Sequence, residues 1–481
     1  MKPTKHALTV LVILLALLIS AVSECEENPS APSDYYVDAL GGDDANPGTM
    51  DEPWQSLTRV GSQTLVPGDV VHFKRGSVWQ GESLRIGAQG EEGAPILFQP
   101  YGTGDAPRIE QGTIVFSGAA HVVVTGFEVT GARGAAVSLQ QGTHHVEVSG
   151  NHLHHNFLGV WMGDGVGDNN RVVGNEIDTN SGHGVAVDEV FCSPGNETVI
   201  ADNDIHGNVW HGIELSGNYH IVEYNHVYDN GANPDGTDDM PGHSGIHLFS
   251  RFHADEPDKG GDHNVIRYNV VHDTRDPSPA AADGNGIQMD MWCDDNFVHD
   301  NVVFHNDGPG IISFGGSRNT IVHNTLYDNG LLRGARPART QLMIYSSDEV
   351  SAEDNVIADN IACSKDPDTY ALFVGDDART RGNTFSLDLC FNEAGGFLFG
   401  RGSEGSLSMD EWNAEPWADD RVGDPAFVDP SSHDLHLLPD SPAIDAATSV
   451  PGIVDDIDGD PRPCPGTAGP DIGADEYCPA P

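Results

Sequence analysis

One six-residue phrase recurs eight times and constrains this chain more than any other feature. It reads Asn, any residue, an aliphatic, two further residues and, in seven of the eight copies, a second Asn. The copies are N-H-L-H-H-N from Asn151, N-E-I-D-T-N from Asn175, N-D-I-H-G-N from Asn203, N-H-V-Y-D-N from Asn225, N-V-V-H-D-T from Asn269, N-V-V-F-H-N from Asn301, N-T-L-Y-D-N from Asn324 and N-V-I-A-D-N from Asn355. Successive starts lie 24, 28, 22, 44, 32, 23 and 31 residues apart. A fixed unit lengthened by occasional insertions is the mark of a solenoid. Asn tolerates the left-handed bend of a tight corner, and one Asn per turn lets side-chain amides stack as a ladder. Each phrase is followed by a second strand that opens with Gly and a β-branched residue: Gly159-Val160, Gly184-Val185, Gly212-Ile213, Gly245-Ile246, Gly286-Ile287 and Gly310-Ile311. These segments are too short, Gly-rich and β-branched for a helical repeat. Two-residue hairpin signatures do not recur, which argues against a propeller or sandwich. The expected fold is all-β, a parallel β-helix.

The termini set the compartment. Lys2 and Lys5 precede an apolar run from Ala7 to Val22, of leader length and too short and too early for a spanning helix. Export is expected, with residues 1–23 as the leader and cleavage after Ala21-Val22-Ser23. Cys25 stands where a lipoprotein carries its lipidated cysteine, but Glu24 before it makes a poor lipobox, so plain secretion is the favoured reading and a lipid anchor the alternative. No second apolar stretch has spanning length.

Charge then excludes a class of partner. Loss of Lys2 and Lys5 takes the formal charge from -51 to -53, and such a surface cannot neutralise a row of phosphates. Nucleic acid is excluded on this ground, and an anionic polysaccharide is awkward without calcium or a local basic cleft. Seven cysteines in an exported chain point to disulfides rather than a metal cluster, because no C-x-x-C pair or zinc spacing occurs. The plausible pairs are Cys464 with Cys478 and Cys363 with Cys390. Cys192 and Cys293 fall three coils apart, beyond disulfide reach, and are expected to be unpaired with each other.

The repeat spans about residues 110–390, after an N-terminal cap and first coils over 24–109 and before an irregular connector over 391–423 and a compact tail over 424–481. The opening, with Tyr35-Tyr36-Val37-Asp38, Gly41-Gly42-Asp43-Asp44, Gly68-Asp69-Val70-Val71 and Phe73-Lys74-Arg75-Gly76, resembles bacterial proteins of the pectin-lyase-like β-helix superfamily. The tail resembles the module called choice-of-anchor Q, through Asp424-Pro425-Ala426-Phe427, Asp434-Leu435-His436-Leu437, Ser441-Pro442-Ala443-Ile444-Asp445, Asp458-Gly459-Asp460-Pro461-Arg462 and Asp471-Ile472-Gly473-Ala474. The resemblance implies a right-handed parallel β-helix, a solenoid of about ten coils, acting as a monomer. The superfamily holds polysaccharide lyases, uronate epimerases, glycoside hydrolases and non-catalytic proteins, so fold alone does not choose an activity. Neither the DG-rich calcium signature of some lyases nor a catalytic strand lysine is found.

Stacking geometry offers a route to the site, since coils rise about 4.8 Å and strand residues alternate inward and outward. Aligned on the Gly dipeptides, one outward column reads Trp161, Ala186, Glu214, His247, Gln288, Ile312. A second reads Gly163, Asp188, Ser216, Phe249, Asp290, Phe314, and a third runs through Val190, Asn218, Arg251 and Trp292. Asp188, Glu214, His247, Arg251, Asp290 and Trp292 therefore converge. The insertions at 231–244, 252–262 and 275–285 frame the same place, as binding loops on a rigid scaffold do.

Three functions are weighed. A lyase or epimerase on a uronate polysaccharide would use His247, Arg251 or the loop residue Lys259 as base and charge stabiliser, with calcium on Asp188, Glu214 and Asp290. A glycosidase would use Glu214 and Asp290 as paired carboxyls, with Asp188 and Glu214 as a closer alternative pair. A non-catalytic carbohydrate-binding protein would use the same surface without chemistry. In each case Trp292, Phe249 and Gln288 are candidate sugar contacts. The superfamily tilts the reading to lyase. Asp456-Ile457-Asp458-Gly459-Asp460 lacks the later Gly and terminal Glu of an EF-hand and reads as a turn. The histidines of the Asn phrases, such as His152, His154 and His155, read as surface turns.

Overall fold

The computed structural model describes residues 33–163, 165–232, 242–250, 260–277, 283–332, 339–346, 350–375 and 380–479. The expected leader, its cleavage site and Cys25 lie outside them, as do Arg251 and Lys259.

Each coil contributes three short strands, and each strand pairs in parallel with its counterpart one coil on. The coil at the centre of the molecule runs through Arg171–Val173, Glu176–Asp178 and Val185–Phe191. These pair with Thr198–Ala201, Asp204–His206 and Ile213–Asn218. The first and second faces merge around their shared corner into a 25-stranded sheet, and the third face forms a 13-stranded sheet of its own. This is a parallel β-helix, as the repeat requires. The interior is one continuous apolar column from Val37 to Trp412, filled by a single Val, Ile, Leu or Phe from most strands.

The corners explain the repeat and correct one detail of it. Asn151, Asn175, Asn203, Asn225, Asn269, Asn301 and Asn324 are buried in a ladder. In each step the side-chain oxygen accepts the backbone N–H of the Asn one coil earlier, as from Asn203 to Asn225 at 3.1 Å. A second ladder runs through Asn156, Asn180, Asn208 and Asn230. The left-handed backbone is not on these Asn residues. It falls on the residue just before: Gly150, Gly174, Asp202, Tyr224, Tyr268, Asp300 and His323 all have φ between 51° and 65°. One corner residue takes the strained conformation and points outward, and the Asn beside it turns inward and satisfies the bend.

The eighth phrase is also out of phase by one corner. Asn355 joins a third ladder, accepting from Asn319, and it is Asn360 that continues from Asn324. The main ladder continues through Asp388, whose Oδ1 accepts from Asn360 at 2.8 Å, to Asp420, whose Oδ1 accepts the Asp388 backbone N–H at 3.0 Å.

Residues 391–423, expected to be irregular, complete the last coil. Phe399–Arg401 extends the third face, and a short capped helix seats Trp412 over the open end of the core. The tail does not lie at the end. It packs against the outside of the second face, where Phe427, Leu435, Leu437 and Ile472 meet Phe304, Tyr327, Ile361 and Cys363. Buried Arg462 pins it there by pairing with Asp300 at 3.2 Å and Glu476 at 3.6 Å.

Cys464 and Cys478 form a disulfide within the tail, and Cys192 and Cys293 are free and buried, as expected. Cys363 and Cys390 are also free, against expectation. Cys390 pairs in register with Ala362 and Cys363 with Phe391. A one-residue offset puts the two side chains on opposite faces of the sheet: Cys390 enters the solenoid core and Cys363 lies under the tail. Alkylation of the unfolded, unreduced chain is therefore expected to label Cys192, Cys293, Cys363 and Cys390 and spare Cys464 and Cys478. A crosslinked Cys363–Cys390 peptide would contradict the register.

Candidate functional site

The outward column of the third face is continuous by strand pairing. Trp161 opposes Ala186, Ala186 opposes Glu214, Glu214 opposes His247, His247 opposes Gln288 and Gln288 opposes Ile312. Glu214 faces out because Ile213 and Leu215 on either side are fully buried, and His247 does so between Ile246 and Leu248. The glycine that opens each strand is required by packing. A Cβ on Gly212 would come within 2.6 Å of Val227 Cγ1 and 2.7 Å of the Gly245 carbonyl oxygen.

His247 stands between two carboxylates. Its Nδ1 lies 3.9 Å from Glu214 Oε2, an ion-pair contact, and its Nε2 lies 3.4 Å from Asp290 Oδ2. Asp290 is oriented through its other oxygen, which accepts the Met291 amide at 2.8 Å. Burial alone would depress the imidazole; the contacts with Asp290 and Glu214 overcome it and hold His247 at about 9, so the ring is cationic at neutral pH.

Two histidines complete the surround. His183 Nε2 lies 3.6 Å and His211 Nε2 3.7 Å from the same Glu214 oxygen. The rings of His183 and His211 stack 5.2 Å apart, and that of His211 stacks 4.3 Å from His247. Burial pushes His183 down to about 4 and His211 well below the ordinary histidine value. His211 Nδ1 accepts the Ser244 backbone N–H at 2.8 Å. An amide can only donate, so the remaining ring proton of neutral His211 sits on Nε2 and points to Glu214. His183, His211 and Glu214 have the proximity of a metal triad, but a protonated Nε2 has no lone pair to offer a metal. The arrangement is a proton-bearing pocket around one carboxylate.

Other expected residues take different places. Gln288 is buried, and its side-chain oxygen accepts from Ser244 Oγ at 2.8 Å and Asn285 Nδ2 at 2.6 Å, which braces two coils. The Phe249 ring lies parallel to His247 with centroids 5.8 Å apart. Asp188 opposes Ser216 in the next column. The expected gathering of Asp188, Glu214 and Asp290 around one ion is not what forms, since the His247 ring separates the last two. The third column is broken: a register shift between Asp188 and Val190 sets Val190 opposite Gly217 and Phe191 opposite Asn218. Val190 then points into the core, and Trp292 lies in a turn at φ 63°, off the sheet face. Toward the N-terminus the surface opens into a groove of about 470 Å³ lined by Trp161, Phe157, Leu158, Arg85 and Arg133.

Sequence reasoning missed His183 and His211 because it started each column after the glycine. The signal was visible as His183-Gly184-Val185 and His211-Gly212-Ile213, the same position in successive coils.

The pH dependence of the site follows with opposite signs. His247 is raised from 6.5 to about 9, so its stabilisation is fully present below about 6.5 and is lost as pH rises through about 9. His183 is lowered to about 4, so its contribution is present above about 6.5 and is lost as pH falls toward 4. Hydrogen exchange in the strand Ser244–Leu248 is expected to be slowest, after correction for intrinsic rates, near pH 6.5. Protection that rises steadily to pH 10 would contradict the His247 pairing.

Residues 112–254 match the family described as right handed beta helix region. A stretch of 86 residues is 40% identical to the Lacto-N-biosidase of Bifidobacterium longum subsp. longum, over 17% of this chain and 5% of that protein. The uncharacterized protein YwoF of Bacillus subtilis is 23% identical over 490 aligned positions, 90% of this chain and 98% of that one. Among solved structures, a family PL6 polysaccharide lyase from Pseudopedobacter saltans is 14% identical with a TM-score of 0.47, over 76% of this chain and 90% of that one. The chain has a right-handed parallel β-helix fold.

Proposed function

We propose that this chain is an exported enzyme that hydrolyses a glycosidic bond in a largely uncharged glycan. The observation that carries this reading is the pair Glu214 and Asp290, presented on opposite edges of one imidazolium. Their carboxylates sit 3.9 and 3.4 Å from opposite nitrogens of the His247 ring, so a full ring width holds them apart, as the roughly 6.5–9.5 Å between the carboxyls of inverting glycosidases requires. Such a reaction needs one carboxyl to protonate the leaving oxygen and another to draw a proton from water. We assign the first role to Glu214, which is ionised at rest beside the cationic His247 and relays the imidazolium proton to the leaving oxygen, and the second to Asp290 on the more open side. His247 holds the two in register and keeps the local charge balanced.

Charge favours hydrolysis over the lyase reading. A uronate carboxylate approaching Glu214, Asp290 and Asp188 would meet like charge on a protein of formal charge -51. The 86-residue likeness to a protein named Lacto-N-biosidase supports action on a glycan. Trp161 and Phe157 offer flat apolar surfaces for sugar rings along the groove that leads away from Glu214.

The test is a panel of neutral and uronate-containing glycans, assayed for new reducing ends and for the ultraviolet absorbance of an unsaturated uronate. Reducing ends from neutral glycans, unchanged by EDTA, support hydrolysis. Unsaturated product abolished by EDTA would establish a calcium-dependent lyase and overturn the proposal.

A further inference from the structure

A second cluster of histidines lies on a different part of the solenoid, at the corner leading into the first face. His121 and His145 are the left-handed residues of two successive coils, at φ 50° and 52°, and their rings lie 4.7 Å apart. Neighbouring side chains in a regular strand point to opposite sides. The left-handed turn at His145 breaks that alternation and brings its ring beside that of His144, with the two Nδ1 atoms 2.9 Å apart. One ligand nitrogen from each of His121, His144 and His145 lies within 4.8 Å of the other two.

We propose that His121, His144 and His145 bind a divalent transition-metal ion, copper(II) most tightly. Three imidazoles with no thiolate suit copper, nickel or zinc. Among these, copper(II) stands highest in the general affinity order of divalent first-row ions for nitrogen ligands. The rings are available. The one hydrogen bond they make among the described residues is that between His144 and His145, a contact the ion would replace. Two other histidine and carboxylate groups of similar compactness are already closed as ion pairs, His152 with Asp178 at 2.7 Å and His436 with Asp458 at 2.8 Å. The site opens on a groove of about 600 Å³ with Glu92, Glu147 and Glu197 in its walls, which concentrates cations and leaves room for water or an exogenous ligand on the ion.

The experiment is titration of the tag-free mature protein with copper(II) at neutral pH, read by calorimetry and by nitrogen hyperfine structure in the electron paramagnetic resonance spectrum. The expected result is one ion bound through imidazole nitrogens. His145→Asn, which keeps a residue tolerant of the left-handed conformation, and His144→Ala should each weaken binding at least tenfold, whereas His152→Ala should leave it unchanged. Circular dichroism melts confirm that the variants fold. Binding of His144→Ala/His145→Asn within twofold of the parent, or a spectrum without imidazole nitrogen, would overturn the site.

Discussion

Glu214→Gln is expected to lower kcat on the glycan substrate by about 10²–10⁴-fold, the usual worth of a positioned general acid or base. The substitution keeps the shape but removes the carboxylate that relays the proton, and Ile213 and Leu215 still anchor the strand in the core. KM should change little, because the loss falls on the transition state. Asp290→Asn should act in the same range, and the double variant should lose far less than the product of the two, as expected of groups that serve one step. His247→Gln tests the ring between them: without the cation the two carboxylates no longer share a counter-charge, so the pH profile moves as well as the rate. A Glu214→Gln enzyme with at least half the parent kcat would remove Glu214 from the chemistry.

The second large effect concerns stability. Asn225→Ala removes an oxygen that accepts both the backbone N–H and the side-chain N–H of Asn203, at 3.1 and 2.9 Å. It also removes a donor to the Ile200 carbonyl at 2.8 Å and to Asn269 at 3.0 Å. Each buried polar group left unpaired costs about 1–3 kcal/mol, so the total loss is expected to reach about 3–5 kcal/mol. The position matters as much as the amount. In a solenoid each coil contacts only its neighbours, and Asn225 sits near the middle of the ladder. Differential scanning calorimetry should show one transition in the parent and two in Asn225→Ala, as the halves uncouple. A single transition at the parent temperature would contradict the ladder's role.

Much of this architecture was legible because two periodicities agree. Glycine dipeptides such as Gly212-Ile213 and Gly245-Ile246 set the phase of the third face, and the column from Trp161 to Ile312 follows from counting alone. What local pattern could not supply were events that change phase. The shift at Asp188/Val190 inserts one residue and turns Val190 inward, and a separate left-handed turn at Trp292 takes that residue off the sheet face. The phrase at Asn355 reads like its predecessors, yet Asn319 and not Asn324 bonds to it, because it lies on the first-face strand Val356–Ala358 and not on the second face that carries the others. Cys363 and Cys390 lie on adjacent strands at the right distance in sequence, and only the one-residue offset in pairing separates them. His183 and His211 show a different limit. Each looks like an ordinary turn residue alone, and their stacking on Glu214 appears only when successive coils are superposed.

The separation of Glu214 and Asp290 across His247 makes a stereochemical claim, and proton NMR of the anomeric centre during the first turnovers on a neutral glycan tests it most directly. The account predicts that the newly released reducing end appears first in the inverted configuration and then mutarotates. A product that appears with retained configuration, or as an unsaturated sugar, would contradict it.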